Sequence, residues 1–273
     1  VFSMKREIKI VNKVKRLLRR LRCPRWLHHF GPKTYEFYEH VVALLVRFYC
    51  RLSYRRAVKL LNLLGFTCPS KSALQYTADK IPKYLWDKLL ELTSGVKHHI
   101  IAIDSTGISR RNPSYHYLKR INSKPPKKHV KLSIAFDTRT KKFCSAKIRV
   151  LPVHDVKDVN SLLKNLKFKI LVADKGYDAN FIHKNCLEKN IETHIPMRDF
   201  GTKIRHNHFS ARRKAAKNFR WRTYHRRSLI ESGNHSLKSK FGSSVNSKKA
   251  TTIRSDVYGR LLCHNLFGLN NKI

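Results

Sequence analysis

The order of hydrophobic segments after Gly95 constrains this chain most. "HHIIAID" is a short apolar run ending in Asp104, "HVKLSIAFD" alternates and reaches the polar turn "TRTKK", and "FCSAKIRVLP" follows as a third strand. A helix is expected over about 155–165, with Asp155 as its cap. "KILVADKGYD" reads as a fourth strand, "ANFIHKNCLEKN" as a helix and "ETHIP" as a fifth strand. A basic linker leads to a helix carrying Glu231 and then to a last helix, "SDVYGRLLCHNLFGL". This order predicts an α/β domain. Its mixed five-stranded sheet has hairpin-like first strands, a parallel fourth and fifth strand, and helices on its faces.

Residues 1–95 have a different period. "IKIVNKVKRLLRRLR" places Ile8, Val11, Val14, Leu17, Leu18 and Leu21 at three- and four-residue steps, the pattern of a basic amphipathic helix. "TYEFYEHVVALLVRFYC" predicts a second, mostly buried helix. Over 52–81, Ser53 can cap a helix bearing Ala57, Leu60, Leu61 and Leu64 inward; Gly65 ends it. Pro69 and Ser70 begin another helix with Ala73, Leu74 and Ala78 inward. That is a helix–turn–helix-like layout with a long turn, and it puts Lys71 and Gln75 near the start of a candidate recognition helix. Two packed helices of any small domain share the pattern. The expectation is therefore an all-helical N-terminal domain, 1–95, with DNA binding as its role.

The chain holds 59 Lys+Arg against 17 Asp+Glu, a formal charge of +42. Such an excess repels itself unless a polyanion neutralises it, and nucleic acid gains affinity with each phosphate neutralised. With 41% hydrophobic residues the chain can build a core, which excludes a disordered basic tail. The cysteines at 23, 50, 68, 144, 186 and 263 form no CxxC pair, against a disulfide framework or zinc ribbon and in keeping with a reducing compartment. His28–His29 and His98–His99 lack ligand spacing. The charged N-terminus predicts no secretory signal, and no apolar run reaches the ~20 residues of a membrane span.

Asp104 and Asp174 each follow an apolar strand, at the sheet edge where ligands of open α/β sheets sit. Either alone is ordinary turn chemistry. If the first and fourth strands are neighbours, the two carboxylates end side by side and repel unless a cation or proton intervenes. Glu231 is the third acid. From Phe200 to Ile230 there is no Asp or Glu but ten Lys and Arg. Arg227 lies four residues before Glu231, and Tyr224 and Lys238 lie seven away on either side, so on one helix all four share a face. An exposed Arg–Glu pair would explain Glu231 equally well in isolation. Three carboxylates together suit Mg²⁺ or Mn²⁺. Asp137 reads as a hairpin turn, Asp178 as a helix cap and Asp155 as a cap beside His154. Ser105 lacks a placed base and does not read as a nucleophile.

Tyr224-x2-Arg227-x3-Glu231-x6-Lys238 resembles the Y-R-E-K signature of DDE transposases of bacterial and archaeal insertion sequences. "AIDSTG" and "VADKGYD" are similar to the first and second Asp motifs of that superfamily, and "VLPVHDVKD" to the segment that often precedes the second. The element order is that of a ribonuclease-H-like domain. The resemblance covers about 95–268 and implies a catalytic domain, 96–273, with a short basic insertion at 200–222. It implies that Asp104, Asp174 and Glu231 bind two Mg²⁺ (or Mn²⁺) ions, that water cuts at the transposon end, and that the freed 3′-hydroxyl attacks target DNA. Arg227 and Lys238 would hold phosphates, with Tyr224, Trp221 and Arg222 also on DNA. Phe209, Phe219 and Trp221 interleave with cations as stacking would require, although core packing would use them too. The implied partners are terminal inverted repeats and target DNA, the implied assembly a homodimer on DNA, and the implied setting the nucleoid in a prokaryotic cytoplasm. A nuclease or resolvase on the same fold, and a transposase-derived DNA-binding protein without catalysis, are the competing readings. About 30 residues separate "ETHIP" from the Glu231 helix, too few for the β-rich insertion of some members.

Overall fold

The computed structural model describes residues 4–28, 30, 33–111, 115–122, 129–151, 153–198 and 211–268, with side chains omitted at 4–8, 115, 117 and 118. In chain order the helices are α1 Met4–Arg20, α2 Phe37–Tyr49, α3 Tyr54–Leu63, α4 Lys71–Lys80, α5 Lys83–Ser94, α6 Tyr115–Arg120, α7 Val159–Leu163, α8 Asn180–Glu188, α9 Ala211–Lys217, α10 Trp221–Tyr224, α11 Ser228–Phe241 and α12 Ala250–Phe267. The chain forms two compact units, one of Val1–Thr93 with Leu237–Ile273, the other Ser94–Ser236. The second unit carries the strands β1 Ile100–Arg110, β2 His129–Asp137, β3 Lys142–Arg149, β4 Ile170–Ala173 and β5 Glu192–His194. The hydrophobic pattern places one boundary at 95 and the last helix on the far side of it. By packing, α12 clusters instead with the N-terminal helices, against α2 and α4.

In the helical unit, α1 buries Ile10, Val14 and Leu18, a four-residue stripe with basic residues outside it. Ser53 accepts from the Arg56 N–H and Ser70 from the Ala73 N–H, so each caps its helix. The α3–α4 turn passes Gly65 at φ 78°. Ala57, Leu74 and Ala78 are buried as expected, whereas Leu64 is 59% exposed. Leu64 is the cap residue after the last turn of α3, where the chain turns away from the helix face and the three-four period no longer applies.

In the other unit the sheet order is β3-β2-β1-β4-β5. β1–β2 and β2–β3 are antiparallel, while β1–β4 and β4–β5 are parallel. This is the ribonuclease-H-like α/β order the segments predict, but not their count of five strands: a short sixth strand, Ser244–Val245, belongs to the sheet as well. One sheet face packs on Val159, Ile182 and Cys186, with Leu163 against them, from α7 and α8. The helix expected at 155–165 is instead a 3₁₀ turn, Asp155–Asp158, followed by α7. Asp155 does not cap it. Lys131 Nζ draws its carboxylate away at 2.5 Å.

Candidate active site

β1 and β4 run parallel with Ile103 opposite Ala173, so the next residues, Asp104 and Asp174, emerge side by side at the same sheet edge. β4 stops there, but β1 continues to Arg110 because β2 keeps pairing with it. Asp104 therefore lies within its strand rather than after it, at the point where β1 outruns β4. Asn234 Nδ2 donates to Asp104 Oδ2 at 3.1 Å. Burial pushes the Asp104 carboxyl above the usual range, the nearby Glu231 and Asp155 charges push the same way, and the Ser105 N–H and Arg227 oppose them. Asp174 accepts from the Lys175 N–H at 2.6 Å and caps a 3₁₀ turn, Lys175–Tyr177.

Glu231 is reached through α10, a 3₁₀ turn His225–Arg227, and α11. The expected single helix from Tyr224 to Lys238 is thus interrupted. A 3₁₀ turn has three residues per turn, so it brings i and i+3 into line, and Tyr224 hydrogen-bonds Arg227. Arg227 Nη1 donates to Glu231 Oε1, and the Glu231 side chain is 56% exposed. Lys238 follows two turns along α11 and is half-buried. Trp221, 62% exposed, meets Tyr224 at 5.7 Å and Phe219 at 5.1 Å between ring centroids, and Arg222 is exposed beside them. Phe209 lies outside the described residues. Lys71 and Gln75 are exposed on α4, whose inward face is Leu74, Thr77 and Ala78.

Beneath this edge runs a partly buried polar chain. Ser105 Oγ is hydrogen-bonded with Tyr177 Oη at 3.0 Å and with Ser133 Oγ at 2.9 Å. Ser133 donates to Asp158 at 3.0 Å and Arg149 Nε donates to Asp158 at 2.7 Å. Asp178 does not cap α8. Its carboxylate takes Arg212 Nη2 at 2.6 Å, the Arg198 N–H at 2.7 Å and His183 Nε2 at 3.2 Å. Asp137 makes the expected turn, accepting from the Arg139 and Thr140 N–H groups. Sequence reasoning missed Asn234, Asp158 and the Ser105–Tyr177 contact. All depend on partners distant in sequence, although Asn234 stands one helical turn from Glu231.

Among the described residues, no group of three or more His, Cys, Asp or Glu side chains could hold a metal ion as they stand. The donor types at this edge nonetheless fit a hard divalent cation: the Asp104 and Asp174 carboxylates, and a buried Asn234 Oδ1 with no hydrogen-bond partner among the described residues. The model of the transposase DDE domain family matches residues 96–266. The chain belongs to this family. No curated protein matches this DDE transposase. Among solved structures, it is similar to the piggyBac transposase synaptic complex with hairpin DNA at 11% identity and TM-score 0.47, covering 96% of this chain and 73% of that one. It is also similar to the Drosophila P element transposase strand transfer complex at 13% identity and TM-score 0.35, covering 66% of this chain and 43% of that one. No described helix of the DDE transposase is long and apolar enough to cross a membrane.

Proposed function

We infer that this protein cuts DNA at the ends of a mobile element and joins the freed 3′-hydroxyl to target DNA, with Asp104, Asp174 and Glu231 as the catalytic carboxylates. The observation that carries this reading is the emergence of Asp104 and Asp174 side by side from parallel neighbouring strands. Asp104, Asp174 and Glu231 would hold two Mg²⁺ or Mn²⁺ ions. Bound there, such ions supply Lewis-acid stabilisation of the attacking and leaving oxygens of a phosphodiester.

Glu231 is held by an exposed i,i+4 pair in the weaker orientation, cation first, worth only a few tenths of a kcal/mol (about 0.2–0.5). A stronger electrostatic partner can therefore take the carboxylate at little cost, which leaves Arg227 to donate to a DNA phosphate. Lys238 and Arg222 would add phosphate contacts, and Trp221 and Tyr224 a stacking surface. The helical region 1–95 would bind terminal repeats through Lys71 and Gln75 on α4, and the 200–222 stretch would belong to the catalytic domain 96–273. Two ends brought together suit a homodimer, acting on nucleoid DNA in a prokaryotic cytoplasm.

The test pairs end-sequence DNA with a target plasmid in Mg²⁺. Joined product is expected, and it should be absent with Asp104→Ala, Asp174→Ala or Glu231→Ala while DNA binding persists. Cleavage without joining would leave a nuclease instead.

A further inference from the structure

Asn234 carries two observations that the three-acid reading does not use. Its side chain is buried, with the residue 7% exposed, and Nδ2 donates to Asp104 Oδ2 at 3.1 Å. Its Oδ1 is buried and has no hydrogen-bond partner among the described residues. With the amide in this orientation Nδ2 meets the acceptor oxygen of Asp104, and Oδ1 is the atom left over. A buried carbonyl left unpaired costs about 1–3 kcal/mol, so stability alone does not account for an asparagine here.

The neighbouring residue shows how Asn234 reaches this place. A Cβ on Gly233 would lie 2.9 Å from Phe136 Cε2, closer than real Cβ contacts come. Only glycine lets α11 seat this tightly on β2, and that seating brings the next residue, Asn234, to β1. Asn234 also stands three residues after Glu231, one turn along the same helix.

The geometry points to Asn234 as a further oxygen ligand of the divalent ion at Asp104, its Nδ2 holding the carboxylate in place and its Oδ1 binding the cation. Amide carbonyls are hard oxygen donors of the kind Mg²⁺ and Mn²⁺ accept. A neutral donor also adds no charge to carboxylates that already repel one another. The inference rests on the assignment of Asp104 as a metal ligand, and the test separates the two.

Equilibrium Mn²⁺ binding to the full chain, read from the electron paramagnetic resonance signal of free Mn²⁺ without DNA turnover, is the measurement. Asp104→Ala should remove the tightest site. Asn234→Ala should weaken it about 10–100-fold, the range that changes around a metal ligand usually produce. Asn234→Asp should keep affinity within a few-fold, since it retains an oxygen ligand while losing the N–H donor. If Asp104→Ala binds like the wild type, the site reading itself fails. If Asp104→Ala loses the ion but Asn234→Ala does not, Asn234 is no ligand. Where Asn234→Ala does not fold, a folded Asn234→Asp chain that has lost Mn²⁺ overturns the inference.

Discussion

Two sets of carboxylates in the strand-bearing unit are treated in opposite ways. Asp158 and Asp178 have fully buried side chains and are saturated by cations. Asp158 accepts from Arg149, lies 3.5 Å from Lys131, and takes a serine hydroxyl; Asp178 takes the Arg212 guanidinium, a histidine and a backbone N–H. Among the described residues Asp104 receives the Asn234 amide and the Ser105 N–H, with Arg227 only nearby, and Asp174 receives one backbone N–H. In a chain with 59 Lys+Arg against 17 Asp+Glu, cations are not scarce. An acid left with neutral donors is therefore a property of its position. The saturated acids hold the frame, and the under-paired ones keep their charge available for a cation from outside. Glu231 lies between the two cases, paired but exposed.

The largest expected effect sharpens this division. Asp104→Asn and Asp174→Asn should each abolish joining of element ends to target DNA, a loss beyond the 10–100-fold typical of residues that only support a metal ligand. Their urea unfolding midpoints should stay near the wild type, because no cation loses its partner. Asp178→Ala should do the reverse and cost about 3–5 kcal/mol of stability, since it removes the buried carboxylate that the Arg212 guanidinium and His183 share. Paired unfolding and joining assays on these variants would break the comparison if Asp104→Asn proved the unstable one.

pH offers a second separation. Burial pushes Asp178 up, but His183, Arg212 and the Arg198 N–H outweigh it and hold the carboxyl well below the usual range. A depressed folded pKa gives stability that is fully present above the unfolded value, about 3.9, and is lost as pH falls below it toward the folded one. The difference in unfolding free energy between wild type and Asp178→Asn should therefore be constant from neutral pH down to about 5 and shrink below about 4. A difference that persists undiminished at pH 2 would mean that packing, not charge, sets the role of Asp178.

The under-paired acids are legible in the sequence because their surroundings are local. Apolar runs such as Ile100–Ile103 and Leu171–Ala173 mark buried strands, and a carboxylate directly after the last apolar residue marks the edge. Ser53 and Ser70 are legible as caps for the same reason, each bonding an N–H three residues on. The saturated acids are not. Asp178 finds Arg212 across 34 residues, and Ser133 finds Asp158 across 25, distances at which no period speaks. In sequence Asn234 is one more polar helix residue; its bond to Asp104 and the seating of Gly233 against Phe136 set it apart in the fold. The 3₁₀ turn at His225–Arg227 breaks a helical phase that spacing alone carries through from Tyr224 to Lys238.

The next effect is smaller and falls on the intermediate acid. Arg227→Gln removes the pair with Glu231 and should change stability by only a few tenths of a kcal/mol (about 0.2–0.5). Its binding to end DNA should weaken, with the slope of log affinity against log salt reduced by about one, as for any single phosphate contact. An unchanged salt slope would leave Arg227 as a partner of Glu231 alone.

The smallest effect on joining is expected where the two classes touch. Tyr177 is buried, burial drives its hydroxyl above the usual range, and the hydroxyl is hydrogen-bonded with Ser105 Oγ at 3.0 Å. Ser105 follows Asp104 and Tyr177 comes three residues after Asp174, so this one bond ties together the backbone behind both acids. Tyr177→Phe deletes the bond without changing volume and should cost about 1 kcal/mol, the net worth of a neutral hydrogen bond. Ser105 keeps Ser133, and β1 keeps its ladder to β2, so the spacing of Asp104 and Asp174 should survive and joining should fall only a few-fold. A hundredfold loss of joining in a chain that unfolds at the wild-type urea concentration would place Tyr177 with the under-paired acids, as a residue on which their spacing depends.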